Sequence, residues 1–433
     1  MWVRAITAVL AALATGPVAR AAGQPADAPA DSPAPLPPTA PADAAPPAPP
    51  PDPLRVFVMT MGPGDHPFFR FGHNAIWIRD ADAGSDRVYN FGTFKFDSPR
   101  LILDFLGGRL NYWLSVSSLA RVTGEYTHEN RSIAAQEVIL TPPQKAELRA
   151  ALEVNARPEN RLYKYDYFLD NCSTRVRDAI DRQLGGRLRA AASQPGRMTL
   201  RQHALRMTAQ PLWLYLALDL VLGPKVDQPI DRWTEMFLPG ELARGLADAQ
   251  LVSNQAVLFQ ADRPPPLAEP PAFGKRFGFV GVLLGLLFVG LGIAARHVRA
   301  ARITVGILTA FWGLAVGFIG CFLVYAWVFT DHVVAHRNQN ILVCAPWAIA
   351  LCVLGVGVAM GRPGATRKAF ALVAAAVGAV LIACALKVGI VAHQENGALI
   401  AFFLPAWAGI AAALLQLRYA TALGTTGRGM PRL

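Results

Sequence analysis

The sequence predicts an α+β domain followed by a five-helix transmembrane bundle. Three observations lead there. Of 433 residues, 53% are hydrophobic and only 16% charged, which is too apolar for an ordinary soluble chain. Most of the excess lies after residue 276, in runs as long as a helix needs to cross a bilayer. Ahead of it, residues 54–262 have balanced composition and the size of one ordinary domain. The net charge of +11 would suit a nucleic-acid binder, but the basic residues sit largely beside the apolar runs. There they set membrane topology, so no nucleic-acid partner is expected. Five cysteines are too few for a disulfide scaffold.

The N-terminal stretch carries Arg4, an apolar run from Ala5 to Ala14, and small residues ending Val18-Ala19-Arg20-Ala21. This reads as an export signal over 1–22, with an uncleaved anchor as the alternative. Residues 23–53 are nearly all Pro, Ala and Asp, a disordered tether that cannot bury enough apolar surface to fold. In the domain, Leu54–Thr60, His73–Arg79 and Arg87–Phe91 read as strands, the last two flanking an Ala-Asp-Ala-Gly-Ser-Asp turn. Pro99–Gly107 reads as helix, Ser132–Leu140 as strand and Pro142–Asn155 as helix. A longer helix begins near Cys172 and runs toward Leu184, and residues 197–250 are mainly helical. A small antiparallel sheet is expected.

A proline-rich linker, 263–276, leads to the membrane domain, 277–417, and a tail, 418–433. The five spans are placed at 277–295, 303–329, 341–360, 369–391 and 398–417. Arg296, Arg299 and Arg302 follow the first; Arg362, Arg367 and Lys368 the third; Arg418, Arg428 and Arg432 the fifth. The loops after the second and fourth spans hold only Arg337. By the positive-inside rule the C-terminus is cytoplasmic and the domain lies outside, in agreement with the export signal. A multi-pass bacterial inner-membrane protein with a periplasmic domain is expected.

Cys172 is the one cysteine in the domain; Cys321, Cys344, Cys352 and Cys384 lie in or at the ends of spans and read as packing residues. It stands in Asp170-Asn171-Cys172-Ser173-Thr174-Arg175, a helix start. There the positive end of the dipole and unpaired N–H groups favour thiolate and can hold an oxyanion. The alternative is a buried structural thiol. A nucleophile needs a base, and His73, opening a strand in Phe71-Gly72-His73-Asn74-Ala75-Ile76-Trp77-Ile78, is the leading candidate; the alternative is a satisfied core histidine. Gly72 would allow another backbone, such as the Cys172 helix start, to come close. With a turn near Ala83, Asn90 lies roughly opposite His73 and would orient the imidazole. His66 and His128 are less well framed.

The strings FGHNAIWI, VYNFGTFKF, YKYDYFLDNCSTRVRD and WTEMFLPGEL resemble the Lnb-type periplasmic domain family, which includes lipoprotein N-acyltransferases. The likeness runs from about residue 54 through the last span. It implies a circularly permuted papain-like fold of the NlpC type, with the His strand before the Cys helix, and assigns catalysis to His73 and Cys172. It also implies acyl transfer from a membrane phospholipid, through a Cys172 thioester, to the amine of a diacylated lipoprotein, with no cofactor. Arg175, one turn into the helix, is a candidate phosphate contact or else a solvated surface residue.

The loop after the second span, Asp331-His332-Val333-Val334-Ala335-His336-Arg337-Asn338-Gln339-Asn340, pairs two histidines four apart. With no Glu base and no third ligand, metal is not expected. Similar patterns in the family suggest substrate contacts at Asp331, His332, Asn338 and Asn340; a merely wet loop is the alternative, as it is for Gln394, Glu395 and Asn396. Two rival functions remain open at this point: a membrane-anchored peptidoglycan thiol peptidase, and a non-enzymatic anchored module.

Overall fold

The computed structural model describes residues 52–94, 107–109, 111–388 and 393–426. The expected export signal, nearly all of the tether, most of the 99–107 helix and the end of the tail lie outside the described residues.

Seven strands form one antiparallel sheet: β1 (Leu54–Met61), β2 (His73–Asp80), β3 (Ser85–Thr93), β4 (Asn111–Ser118), β5 (Ile133–Val138), β6 (Leu162–Lys164) and β7 (Val252–Phe259), in the spatial order β6-β4-β3-β2-β1-β5-β7. It is larger than the small sheet the sequence suggests. Alternation decides its faces. Val56, Val58, Ile76, Ile78, Tyr89 and Phe91 pack on one side, while Phe57, Met59, Met61, Ala75, Trp77 and Val88 pack on the other. The second face is closed by Val122 of α1 (Leu119–His128).

The first face carries α2 (Pro142–Asn155), α3 (Cys172–Gln183), α4 (Arg187–Ala191), and later α7 (Arg232–Glu235) and α8 (Pro239–Asp248); α5 (Leu200–Met207) and α6 (Leu212–Val221) lie between. On α3, Val176 and Ile180 recur four apart and are wholly buried, worth about 1.5–3 kcal/mol each by area. That stripe fixes the helix, and therefore its first residue, against the sheet.

Among the described residues, five helices are long and apolar enough to cross a membrane: Gly274–Ala295, Arg299–Phe329, Asn340–Ala359, Pro363–Ala385 and Gly397–Tyr419. The third breaks near Pro346, and Trp407 of the fifth donates its indole N–H to the freed Val343 carbonyl at 3.2 Å. Small residues let the second span meet this irregular backbone: a Cβ on Gly320 would fall 2.0 Å from the Cys344 carbonyl oxygen.

The loops after the second and fourth spans both reach the globular domain, where they end α6. The last carbonyls of a helix have no partner within it. Asn340 donates to those of Asp219 and Leu220 (both 3.0 Å), Asn338 to those of Leu220 and Val221 (2.8 and 2.9 Å), and Gln394 to that of Leu222 (3.0 Å). Asn340 in turn accepts from Asn396 at 2.7 Å. Beneath them the buried Arg201 guanidinium pairs with Asp219 and Asp227. This amide lattice joins the domain to the bundle.

Candidate active site

The segment ahead of α3 is held by its own side chains. Asp166 accepts from the N–H groups of Phe168 and Leu169, both at 2.9 Å. Asn171 caps the helix by accepting from the Thr174 N–H at 2.9 Å, while the Thr174 hydroxyl accepts from the Asn171 N–H at 2.8 Å. Asn171 also donates to the Tyr167 and Phe237 carbonyls, and Ser173 to that of Met236. Cys172 is thus fixed as the first helical residue.

Its sulfur is buried, which pushes the thiol up from its ordinary value; the N–H groups of Asn74, Ser173 and Cys172 itself, aimed at the sulfur, oppose that. Burial wins. Tyr112, Tyr163 and Tyr165 surround it, with Tyr112 and Tyr165 stacked at 4.0 Å. Each phenol is raised first by its own burial and then by the negative form of Cys172.

His73 opens β2, and its neighbour Asn74 supplies one of those N–H groups. Its imidazole stacks on Tyr126 of α1 at 6.3 Å. The Arg131 guanidinium lies 4.4 Å over the other aromatic contact of that stack, the Tyr126 ring, and is anchored by the Gly62 carbonyl at 2.9 Å and Glu129 at 3.0 Å. Burial, then Arg131, hold the imidazole down to about 4, while a hydrogen bond that the ring donates to the Asn90 amide oxygen works the other way. The resting pair is therefore neutral thiol and neutral imidazole, not the thiolate that the helix start alone suggests: loss of solvent outweighs the dipole.

Asn90 does reach His73, although not from the place expected. The ladder pairs Asp80 with Ser85 and Ile76 with Tyr89, so Asn90 stands diagonal to His73 rather than opposite it. Diagonal neighbours are still within side-chain reach. Gly72 has φ +80°, and the backbone it admits is the Met61 carbonyl, not the Cys172 helix. The glycine beside the Cys172 side chain is Gly92 on β3, at φ +84°, where a Cβ would sit 3.4 Å from that of Cys172. Tyr165 is marked in the sequence as a residue of the loop before Cys172, whereas Gly92, Arg131, Tyr112 and Tyr163 carry no signal beyond the repeated Tyr of Tyr163-Lys164-Tyr165-Asp166-Tyr167.

Cys172, His73 and Asn90 open on one cavity of about 960 Å³, near the upper end for small-molecule sites. Its walls are largely apolar and include Phe68, Phe94, Leu218 and, from the second span, Phe322 and Ala326.

Two family models match the chain. The Lnb N-terminal periplasmic domain covers residues 49–206, and the Lnb transmembrane domain covers 279–417. The chain belongs to the Lnb-type family. No curated protein and no solved structure matches it. The Lnb periplasmic match contains Cys172, His73 and Asn90, and the Lnb transmembrane match contains the amides of Asn338, Asn340, Gln394 and Asn396.

The remaining expected site residues of this Lnb-type chain separate into two groups. His332 lines the large cavity and stacks on Tyr167 at 6.0 Å. Asp331 lines a small adjoining pocket and lies 3.5 Å from Arg109. The histidines flank a single 3-10 turn, Val333–Ala335, rather than sharing a helix. Asn338 and Asn340 are buried in the joint, away from the cavity lining; their amides are taken by α6 carbonyls, which gives them a structural role where a substrate contact was expected. Arg175 likewise turns from the cavity, forming a two-pronged pair with Asp170 (2.6 and 2.8 Å) over the Tyr163 ring. It braces the loop before Cys172.

Proposed function

We propose that this protein is a lipoprotein N-acyltransferase acting at the periplasmic face of the inner membrane, with its C-terminus in the cytoplasm. One observation carries the reading: the cavity that holds Cys172 and His73 is walled on another side by a membrane-spanning helix. A soluble peptide substrate has no need of such a wall. The chain order of His strand, Asn strand and Cys helix further supports a circularly permuted papain-like arrangement.

Neutral His73 takes the Cys172 proton as the sulfur attacks the ester carbonyl of a phospholipid. The N–H groups about the sulfur are placed to stabilise the negative charge that develops. Collapse forms the thioester, and the lysophospholipid leaves with the proton from the imidazolium. The amine of a diacylglyceryl-cysteine then attacks the thioester, His73 takes up the amine proton, and the released sulfur regains it. Amide forms, thiol returns, and no redox partner or metal is required by the balance. Asn90 steadies the ring in both halves.

The test is intact mass of the purified full chain after incubation with phospholipid vesicles. The expected result is one acyl mass on Cys172, discharged by a diacylated lipopeptide, and none in Cys172→Ala or His73→Ala. Hydrolysis of a muropeptide with no acyl mass would replace this reading by a peptidase; neither reaction would leave an anchored module.

A further inference from the structure

We infer that the acyl chain reaches Cys172 sideways from the bilayer, through a channel walled by α6 and the domain-side end of the second span. This rests on the acyl-transfer reading and adds the route.

Phe322 and Ala326, one turn apart on the second span, line the same cavity as Cys172 and His73. That span is 31 residues long, more than the roughly 20 that cross the hydrocarbon core, so the cavity wall continues into a membrane-crossing surface. From α6, Trp213, Ala217, Leu218 and Val221 line it, a spacing that puts them along one helix face. α6 is apolar but only 10 residues long, too short to span. On another side its Tyr215 packs against Phe273 and Phe277 at the start of the first span, 5.0 and 6.5 Å between centroids. The amide lattice holds its other end. α6 therefore lies across the ends of the spans.

Depth is marked by aromatic residues. Tyr325, Trp327 and Phe329 on the second span and Trp213 on α6 are all exposed. Exposed Trp and Tyr at the end of a span belong at headgroup level. Ala326 lies within this belt and is at the same time part of the cavity wall. A phospholipid has its ester at that depth and its chain below it, so a chain entering here brings the ester toward the sulfur. Ala217 and Ala326 are the smallest side chains that α6 and the second span give to the wall. Their size keeps the passage open.

The experiment places the full-length protein in vesicles of phosphatidylethanolamine and phosphatidylglycerol doped with a phosphatidylethanolamine carrying a diazirine in mid-chain. After photolysis, cross-linked peptides are read by mass spectrometry. Expected are adducts on peptides containing Ala217 and Ala326, reduced roughly tenfold in Ala326→Trp and Ala217→Trp, the scale of filling a packed site. A cooperative thermal unfolding transition near the native Tm in detergent serves as the check that each variant is folded. Adducts confined to outward residues such as Phe311 and Phe318, with none on α6, overturn the channel whatever the variants do. So does acylation of Cys172 at the native rate in both Trp variants, which would leave the transferase standing. Adducts on α6 in a protein that never forms acyl-Cys172 would sustain the channel and end the acyl-transfer reading.

Discussion

The backbone N–H of Asn74 is aimed at the sulfur of Cys172. The residue that follows His73 thus holds the Cys172 sulfur, and the separation of the two side chains is set largely by strand and helix backbones. Backbone placement of this kind leaves little to reorganise during reaction.

Because burial raises Cys172 and lowers His73, the pair rests uncharged. The rate of Cys172 alkylation by iodoacetamide is expected to keep rising with pH beyond the free-thiol range of about 8.5. A plateau reached already between pH 5 and 7 would mean a resting ion pair, contrary to this geometry.

The depressed His73 also ties stability to pH. Its folded value, about 4, lies below the ordinary 6.5, so between these the unfolded chain binds the extra proton. The contribution is fully present above pH 6.5 and is lost as pH falls toward 4. Thermal unfolding in detergent should show a fall in Tm across that window that is smaller in His73→Gln. Equal acid sensitivity in the two proteins would assign the loss to other groups.

Gly92 sits in the left-handed region beside the Cys172 side chain. Gly92→Ala should lower stability by about 1–2 kcal/mol through backbone strain. It should also slow Cys172 alkylation, because the new methyl lies at contact distance. A stable Gly92→Ala protein with native reactivity would remove this residue from the site.

Asn340→Ala deletes two buried donors and the acceptor for Asn396. Each abandoned buried group costs about 1–3 kcal/mol. A lower Tm and protease cutting between the domain and the bundle are expected, with Cys172 alkylation in the folded fraction unchanged. Native Tm with impaired lipid acylation would instead make Asn340 a substrate contact.

Much of this architecture is written in local pattern. The helix Pro142–Asn155 is read to the residue because Thr141, two prolines and Gln144 announce its start and apolar spacing carries it on. The His73 strand and the Cys172 helix are legible for similar reasons, and so are all five spans to within a few residues, apart from the fourth, which ends earlier than expected. β4 alternates Tyr112, Leu114 and Val116, a strand signal present in the sequence but short and flanked by polar residues. β7 had little to offer, since as an edge strand it is mostly exposed and its sequence does not alternate cleanly. Arg131 is a buried cation with no periodicity to betray it. The cavity was beyond reach of any local reading, because its walls come from residues as distant as Pro67 and Ala335. For the same reason Asn338 and Asn340 looked like ligand contacts: polar residues in an outer loop give no sign that a helix end from another domain will consume them.

The amide lattice at the end of α6 has one last consequence. With two loops of the bundle gripping the same short helix, the Cys172 thiol of the proposed reaction would keep a constant height above the lipid surface. A lipoprotein precursor moored by its own fatty tails shares that plane, so in the proposed reaction the two partners find each other by gliding in two dimensions. Encounter frequency would then follow surface density in the leaflet rather than concentration in the compartment.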